Sequence, residues 1–291
     1  MKKVSHKLNH NRDWRIVDLI KWSHQYLKSK LIPNSRKESE WFLSHIYNCD
    51  RLELYLKFDQ IVDEQKLKLF KSFIIRRLNN EPFQYIINRA PFYGRDFYVN
   101  ENVLIPRPET ETIIDIVKNN KVDSILDIGT GSGCLAITLS LEKVARQICA
   151  IDKYQNILDI AKANATKNNC QNISFKKIDI INEIPDKKFN IVISNPPYIS
   201  KEELKGLDSE ILNYEPHNSL TDNSNGLIFY KRFDKIFESI VLPKGKFIVE
   251  FGGENQLQGI RKIFNDEKYN LVFHKDLNGS YRVVEIMKDL I

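Results

Sequence analysis

Gly129, Gly131 and Gly133 occupy alternate positions between a short apolar run at 125–128 and an apolar helical stretch near 133–142. A strand that turns so abruptly into a helix needs residues free to take positive φ, and a backbone without Cβ atoms lets a ligand come close. The start of the helix adds unpaired amides that suit a polar or anionic group. Two readings stand at this point, a site for a nucleotide-like cofactor or a tight strand-to-helix connection. A dinucleotide fingerprint fits imperfectly, because its third small residue falls at Cys134 and it has no use for Asp127 ahead of the first glycine.

The rest of the chain gives this turn a setting. Short apolar runs at 125–128, 148–151, 173–178 and 191–194 alternate with helical patterns at 133–142 and 155–168. This is an α/β pattern that predicts a mostly parallel sheet with helices on both faces and ligands at the strand C-termini. A helix near 227–240, a strand at 246–251, another helix and strand-like runs around Leu271 and Val283 follow. Before residue 90 the texture differs: glycine is absent, only Pro33 and Pro82 interrupt, and helical spacing dominates. Ser35 with Glu38 reads as a capping box, Asp63 as a helix start, and Trp14, Trp22 and Trp41 as the core of a helical bundle. The expected organisation is therefore an N-terminal α-helical bundle domain at 1–90, a linker at 91–120 and an α/β domain at 121–291.

Charge divides the chain at the same place. Residues 1–90 carry eighteen Lys and Arg against ten Asp and Glu, so the net charge of +6 is +8 in the first domain and −2 in the remainder. A basic helical surface is compatible with plain solvation or with steering of an anionic partner. No apolar stretch approaches the eighteen or so residues of a membrane helix, and Asp13, Arg15 and Asp18 break the N-terminal segment where a signal peptide would be apolar. A cytoplasmic protein without membrane attachment is expected. The four cysteines and six histidines are scattered, so reduced thiols and no protein-bound metal are expected.

Two further segments carry chemistry. Asp152, about twenty residues after the glycine turn, closes a strand where an acid can accept both hydroxyls of a ribose. Asn195-Pro196-Pro197-Tyr198 leaves the fourth strand at the same sheet edge. It can be a rigid turn, but at that edge two prolines also fix one geometry for the Asn195 side-chain oxygen and the Pro196 carbonyl. Two acceptors suit the two hydrogens of a planar NH2 group. Methyl transfer to an amide or aryl amine needs this grip because the nitrogen lone pair is delocalised, so positioning and electrostatics would carry catalysis. Tyr198 could close the pocket with its ring. About thirty residues of weak periodicity follow, a length more often functional than idle. Upstream, Ile105-Pro106-Arg107-Pro108-Glu109-Thr110-Glu111 is held extended by its prolines, either as an interdomain connection or as a stiff wall beside the cofactor pocket.

Together Asp127 to Gly133, Asp152 and Asn195 to Tyr198 resemble the motifs of class I S-adenosylmethionine-dependent methyltransferases acting on planar amino groups. With the 105–111 segment, Glu81-Pro82 and Gln84-Tyr85, the chain is similar along essentially its whole length to the protein-(glutamine-N5) methyltransferases of the HemK/PrmC family. The resemblance implies a Rossmann-like methyltransferase domain with S-adenosyl-L-methionine as cofactor. It also implies a substrate, the glutamine of a Gly-Gly-Gln motif in peptide-chain release factors, methylated on its side-chain nitrogen. By position it assigns the cofactor to Asp127, Gly129, Thr130, Gly131, Ser132, Gly133, Asp152, Asp179, Ile180 and Asn195, and the glutamine to Asn195, Pro196, Pro197 and Tyr198, with Asn195, Pro196 and Tyr198 catalytic. Ile180 departs from an aromatic common at its position and Asn88 from a frequent glycine. Glu250-Phe251-Gly252 resembles a late strand motif to which no role is assigned.

The chief rival is a nucleic-acid methyltransferase acting on an exocyclic base amine, which would require base flipping. No recognition domain beyond the helical part is evident and the basic excess is modest, so no direct nucleic-acid substrate is expected. A non-enzymatic RNA- or ribosome-binding protein that keeps the fold has the basic first domain in its favour and the intact Asp127, Asp152 and Asn195 against it. A monomer is expected.

Overall fold

The computed structural model describes residues 13–265 and 267–288. Residues 1–12, Asp266 and 289–291, which the expected domains include, lie outside the described residues, as does most of the segment read against a signal peptide. The chain divides into two compact units, one ending at Asn88 and one beginning at Arg89.

The first unit is helical: α1 (Ile16–Ser29), α2 (Ser35–Tyr47), α3 (Arg51–Leu56), α4 (Glu64–Leu78) and α5 (Phe83–Ile86). Its core gathers Trp14, Leu19, Leu27, Phe42, Leu43, Leu54, Phe70, Phe73 and Ile74. Asp63 caps α4 through the Lys66 amide, as its sequence position predicts. The capping box expected at Ser35 and Glu38 does not form. Asn34, in the left-handed region, stands at the N-cap of α2 without a side-chain capping bond, the Ser35 hydroxyl lies 3.0 Å from His24 Nδ1, and Glu38 makes a buried ion pair with Arg77 at 2.8 Å. Nor do all three tryptophans reach the core: Trp14 is buried and Trp22 partly so, but Trp41 is 36% exposed beneath the Lys37 ammonium. A helix edge that carries an ammonium partner can leave an aromatic face near water.

The second unit opens with a hairpin of β1 (Ala90–Phe92) and β2 (Arg95–Phe97), a 3₁₀ turn (Pro108–Thr110) and α6 (Glu111–Val117). Residues 91–120 therefore belong to this unit, with Phe92, Phe97, Ile113, Ile114 and Val117 in its core. There follow β3 (Val122–Ile128), α7 (Cys134–Leu141), β4 (Ala145–Asp152), α8 (Gln155–Lys167), β5 (Ile173–Lys177) and β6 (Phe189–Ser194). Three short helices, α9 (Lys201–Leu204), α10 (Ser209–Tyr214) and α11 (His217–Leu220), interrupt the long segment after β6. The unit closes with α12 (Ile228–Ile240), β7 (Val241–Glu250), α13 (Glu254–Ile263), β8 (Tyr269–Lys275) and β9 (Tyr281–Lys288).

Seven strands form one sheet in the order β5-β4-β3-β6-β7-β9-β8, parallel except for β9, which runs antiparallel to both neighbours. Strand alternation divides the core in two. Val192, Phe247 and Val249 face Tyr230, Phe233, Phe237 and Ile260 of α12 and α13. Ile191, Ile193 and Ile248 face Ile113, Ile114, Leu135, Ile137 and Leu139 of α6 and α7. Burial on both faces is why these strands read as continuous apolar runs. β3 pairs with both β4 and β6, so the chain reverses its winding direction there, and a crevice opens at the C-terminal ends of those strands.

Candidate active site

That crevice holds a cavity of about 450 Å³, within the range of small-molecule sites. Its wall includes Gly129, Thr130, Gly131 and Ser132 from the turn after β3, Asp152 at the end of β4, and Asp179 and Ile180 after β5. Asn195, Pro196 and Pro197 after β6 complete that side. Leu104, Pro106, Arg107 and Thr110 of the proline-bearing segment line it too, so the segment is beside Asn195 and not a solvated connection.

The glycine turn is built as its sequence suggests. Gly129, Gly131 and Gly133 have φ of +72°, +55° and +82°. A Cβ on Gly133 would meet Ile137 Cδ1 at 2.9 Å and Ala161 Cβ at 3.2 Å, so this glycine serves the packing of α7 against α8. The first two glycines would have nothing nearer than 3.9 Å, which leaves their backbone open. Asp127 and Gly133 are not wall residues. Asp127 is fully buried behind the turn, accepts the Thr130 hydroxyl at 2.7 Å, and is pushed by burial up to about 7. It braces the loop from below. Asp152 accepts the amides of Gly131 and Tyr154, both at 3.2 Å, and burial raises its pKa. Asp179 is held below its ordinary value by the Lys153 ammonium at 3.1 Å, the Ile181 amide and Asn182, against partial burial. Ile180 is buried in the apolar wall, and its carbonyl accepts Arg232 Nε at 2.8 Å.

Behind Asn195 lies a polar chain that sequence reasoning missed. Asn195 Nδ2 donates to Thr110 Oγ1 at 3.0 Å, and Thr110 donates to Glu250 Oε2 at 2.6 Å. The Tyr198 hydroxyl donates to Glu250 Oε1 at 3.1 Å, and the Tyr230 hydroxyl to the Glu250 carbonyl at 2.8 Å. Tyr198 thus turns its hydroxyl into the protein and is not among the wall residues, where it was expected to close the pocket with its ring. Glu250 is wholly buried, and burial pushes its carboxyl up to about 7 despite the two hydroxyl donors. The available signal was a carboxylate directly after the apolar run 247–249, at the C-terminal edge of the sheet.

The long segment after Asn195 is pinned at four places. Arg107 pairs with the buried Glu215 at 2.5 Å. Ile199 bridges Thr221. The Asp222 carboxylate accepts the amides of Ser224, Gly226 and Ile228, which sets the entry to α12. Gln256 Nε2 donates to the Tyr198 carbonyl at 2.6 Å, fastening the Pro-Pro-Tyr strap to α13.

Residues 18–87 match the PrmC N-terminal domain and residues 108–233 the methyltransferase small domain. A release factor glutamine methyltransferase of Geobacter sulfurreducens is 32% identical over 274 residues, covering 93% of this chain and 96% of its own. One from Bacillus subtilis is 33% identical over 282 residues, covering 92% and 96%. The chain belongs to the release factor glutamine methyltransferase family. A methyltransferase structure from Pyrococcus furiosus shares the fold, with a TM-score of 0.53 and 19% identity over 75% of this chain and 98% of that one. In this family member the glycine turn, Asp152, Thr110 and the Asn-Pro-Pro strap line one cavity, while Glu215, Glu250 and Gln256 hold that arrangement from outside its lining.

Proposed function

We propose that this methyltransferase transfers the methyl group of S-adenosyl-L-methionine to the side-chain amide nitrogen (N5) of the glutamine in the Gly-Gly-Gln motif of peptide-chain release factors. The observation that carries the reading is that one cavity is lined by the open glycine backbone, Asp152 and Asn195-Pro196. The residues present fit the cofactor. The volume suits a small ligand, Gly129 and Gly131 would admit close approach of its amino-acid part, Asp152 would accept ribose hydroxyls, and Ile180 offers an apolar wall for a base. When bound, S-adenosylmethionine would supply an electrophilic methyl carbon, with its sulfur keeping the electron pair of the broken S–C bond as a neutral thioether.

The chain's own contribution is to the nucleophile. The Asn195 side-chain oxygen and the Pro196 carbonyl accept the two amide hydrogens and fix the nitrogen plane. They also favour the positive charge that grows on nitrogen as the new N–C bond forms. A general base of high pKa is unnecessary, because the charged nitrogen is strongly acidic once its lone pair is used, and water can take the proton. Every residue assigned to this chemistry lies in the unit beginning at Arg89, so a single chain suffices. The proposed partner is the release factor, held in part by the basic first unit, and the proposed location is the cytoplasm alongside that substrate. No helix among the described residues is long and apolar enough to cross a membrane.

The test is methyl incorporation from labelled S-adenosylmethionine into a release factor, the same protein with its motif glutamine changed to Glu, and duplex and single-stranded nucleic acids. Label confined to the glutamine-bearing protein is expected. Label on an exocyclic base amine would overturn the reading.

A further inference from the structure

The amide of Asn195 could face the cavity with either its oxygen or its NH2, and only the oxygen can accept a hydrogen from a target nitrogen. The network beneath it removes the ambiguity. With Glu250 ionised, above about pH 7, its oxygens can only accept, and the 2.6 Å contact commits the single Thr110 hydroxyl hydrogen to Glu250 Oε2. The Thr110 oxygen can then only accept from Asn195. The Asn195 NH2 must therefore be the end that meets Thr110, at 3.0 Å, which leaves the oxygen as the end turned from Thr110. Glu250 has its other oxygen taken by the Tyr198 hydroxyl, so one buried carboxylate is tied to both ends of the Asn195 to Tyr198 strap. Thr110 enters from the 105–111 segment, 140 residues from Glu250 in sequence.

We infer that Glu250 and Thr110 are positioning residues that set which end of the Asn195 amide faces the target, acting through a directed chain of hydrogen bonds from Asn195 to Thr110 to Glu250. The inference rests on the proposed use of Asn195 as acceptor for the glutamine nitrogen. A reversed chain has a definite consequence: if Thr110 donated to Asn195, the NH2 would turn to the cavity and repel the incoming NH2. Glu250→Gln makes that reversal possible, because a carboxamide NH2 can donate to Thr110 and release its hydroxyl hydrogen. Thr110→Val keeps the side-chain shape and deletes the link. Thr110→Ser keeps the hydroxyl and loses only a methyl group.

The experiment measures kcat and KM for release factor and calorimetric affinity for S-adenosylmethionine at pH 8, on wild type, Asn195→Ala, Thr110→Val, Thr110→Ser, Glu250→Gln and the Thr110→Val/Asn195→Ala pair. A misplaced reacting group is expected to cost Thr110→Val about 10²-fold in kcat. KM and cofactor affinity should stay within a few-fold, which also verifies folding. Thr110→Ser should recover the rate to within a few-fold of wild type. Glu250→Gln should be slowed in kcat in the same way. The double variant should be no slower than Asn195→Ala alone, since Thr110 acts through Asn195. Equal losses in Thr110→Val and Thr110→Ser, or additive losses in the double variant, would overturn the relay. A slow Asn195→Ala with Thr110→Val and Glu250→Gln at full rate would overturn the relay and leave the reading of Asn195 standing. Full turnover by Asn195→Ala would overturn that reading and the relay with it.

Discussion

Gly226 sits where the long loop turns into α12, with φ of +75°, and its Cα faces the backbone of the Pro-Pro-Tyr strap. A Cβ there would lie 2.1 Å from the Tyr198 carbonyl oxygen and 2.6 Å from Gln256 Nε2. Carbon and oxygen in ordinary contact stay beyond about 3 Å, so in Gly226→Ala the Tyr198 carbonyl must retreat by roughly 1 Å. It cannot do so alone. Two prolines stiffen the strap back to Asn195, and the retreat breaks the 2.6 Å hydrogen bond from Gln256. The left-handed backbone costs a residue with a Cβ about 1 kcal/mol. A buried amide and carbonyl left unpaired cost about 1–3 kcal/mol. A total near 3 kcal/mol is below typical stabilities, so the variant folds and its melting temperature falls by roughly 10 °C.

The effect on turnover is a separate quantity. A shift of about 1 Å in a group proposed to hold the target corresponds to about 10²-fold in rate. Gly279 supplies the control, because its φ is +83° and a Cβ there meets nothing within 4 Å. Gly279→Ala therefore carries the backbone penalty without the clash, and should melt a few degrees early at wild-type kcat. The assay is thermal unfolding together with kcat on release factor and calorimetric cofactor affinity for both variants. Wild-type turnover and melting in Gly226→Ala would refute the reasoning, and so would equal losses of kcat in the two alanine variants.

Other consequences are as direct. Asp152→Ala should weaken cofactor binding in calorimetry while leaving kcat at saturating cofactor within about tenfold, because it removes a ribose acceptor and not a target contact; unchanged affinity would remove Asp152 from that role. Glu38→Gln removes the negative charge from the buried 2.8 Å pair with Arg77 and should destabilise the first unit in denaturant melts, so an unchanged melt would contradict a stabilising role for that pair. Glu250 has its carboxyl raised to about 7, so the folded chain holds a proton the unfolded chain releases, and stability from this group falls as pH rises from about 4.5 to about 7. The melting difference should accordingly move in favour of Glu250→Gln between pH 5 and pH 8, and a pH-independent difference would contradict the buried, raised carboxyl. Deleting residues 1–88 should spare cofactor binding and methylation of a short Gly-Gly-Gln peptide while reducing methylation of intact release factor in a salt-sensitive way; equal loss on both substrates would make the first unit a stabiliser only.

What the sequence revealed was whatever a short window can encode. The glycine turn was legible because positive φ at three alternate positions admits almost nothing but glycine. Asp152 was legible by its distance from that turn, and the strands by apolar runs buried on both faces. Ser35 shows the limit of the same logic, since a capping pattern was present and its two side chains were taken by His24 on another helix and Arg77 on a third.

The supporting residues were illegible for a reason that also explains how the site works. Asn195 could be singled out by its own neighbours, but its orientation depends on Thr110, 85 residues away, and on Glu250, 140 residues from Thr110. Arg107 and Glu215, which tie the 105–111 segment to the long segment after β6, are 108 residues apart. Each of these side chains is unremarkable in its own window and acquires meaning only when the parallel sheet brings the ends of β6 and β7 side by side. Chemistry by orientation demands this. A strong base can act from one residue with its local pKa, but gripping a weak nucleophile requires acceptors aimed in fixed directions, and direction is imposed by contacts from several parts of the chain. A substitution at Thr110 that removes its contact with Asn195 should therefore change kcat before it changes affinity for cofactor or release factor.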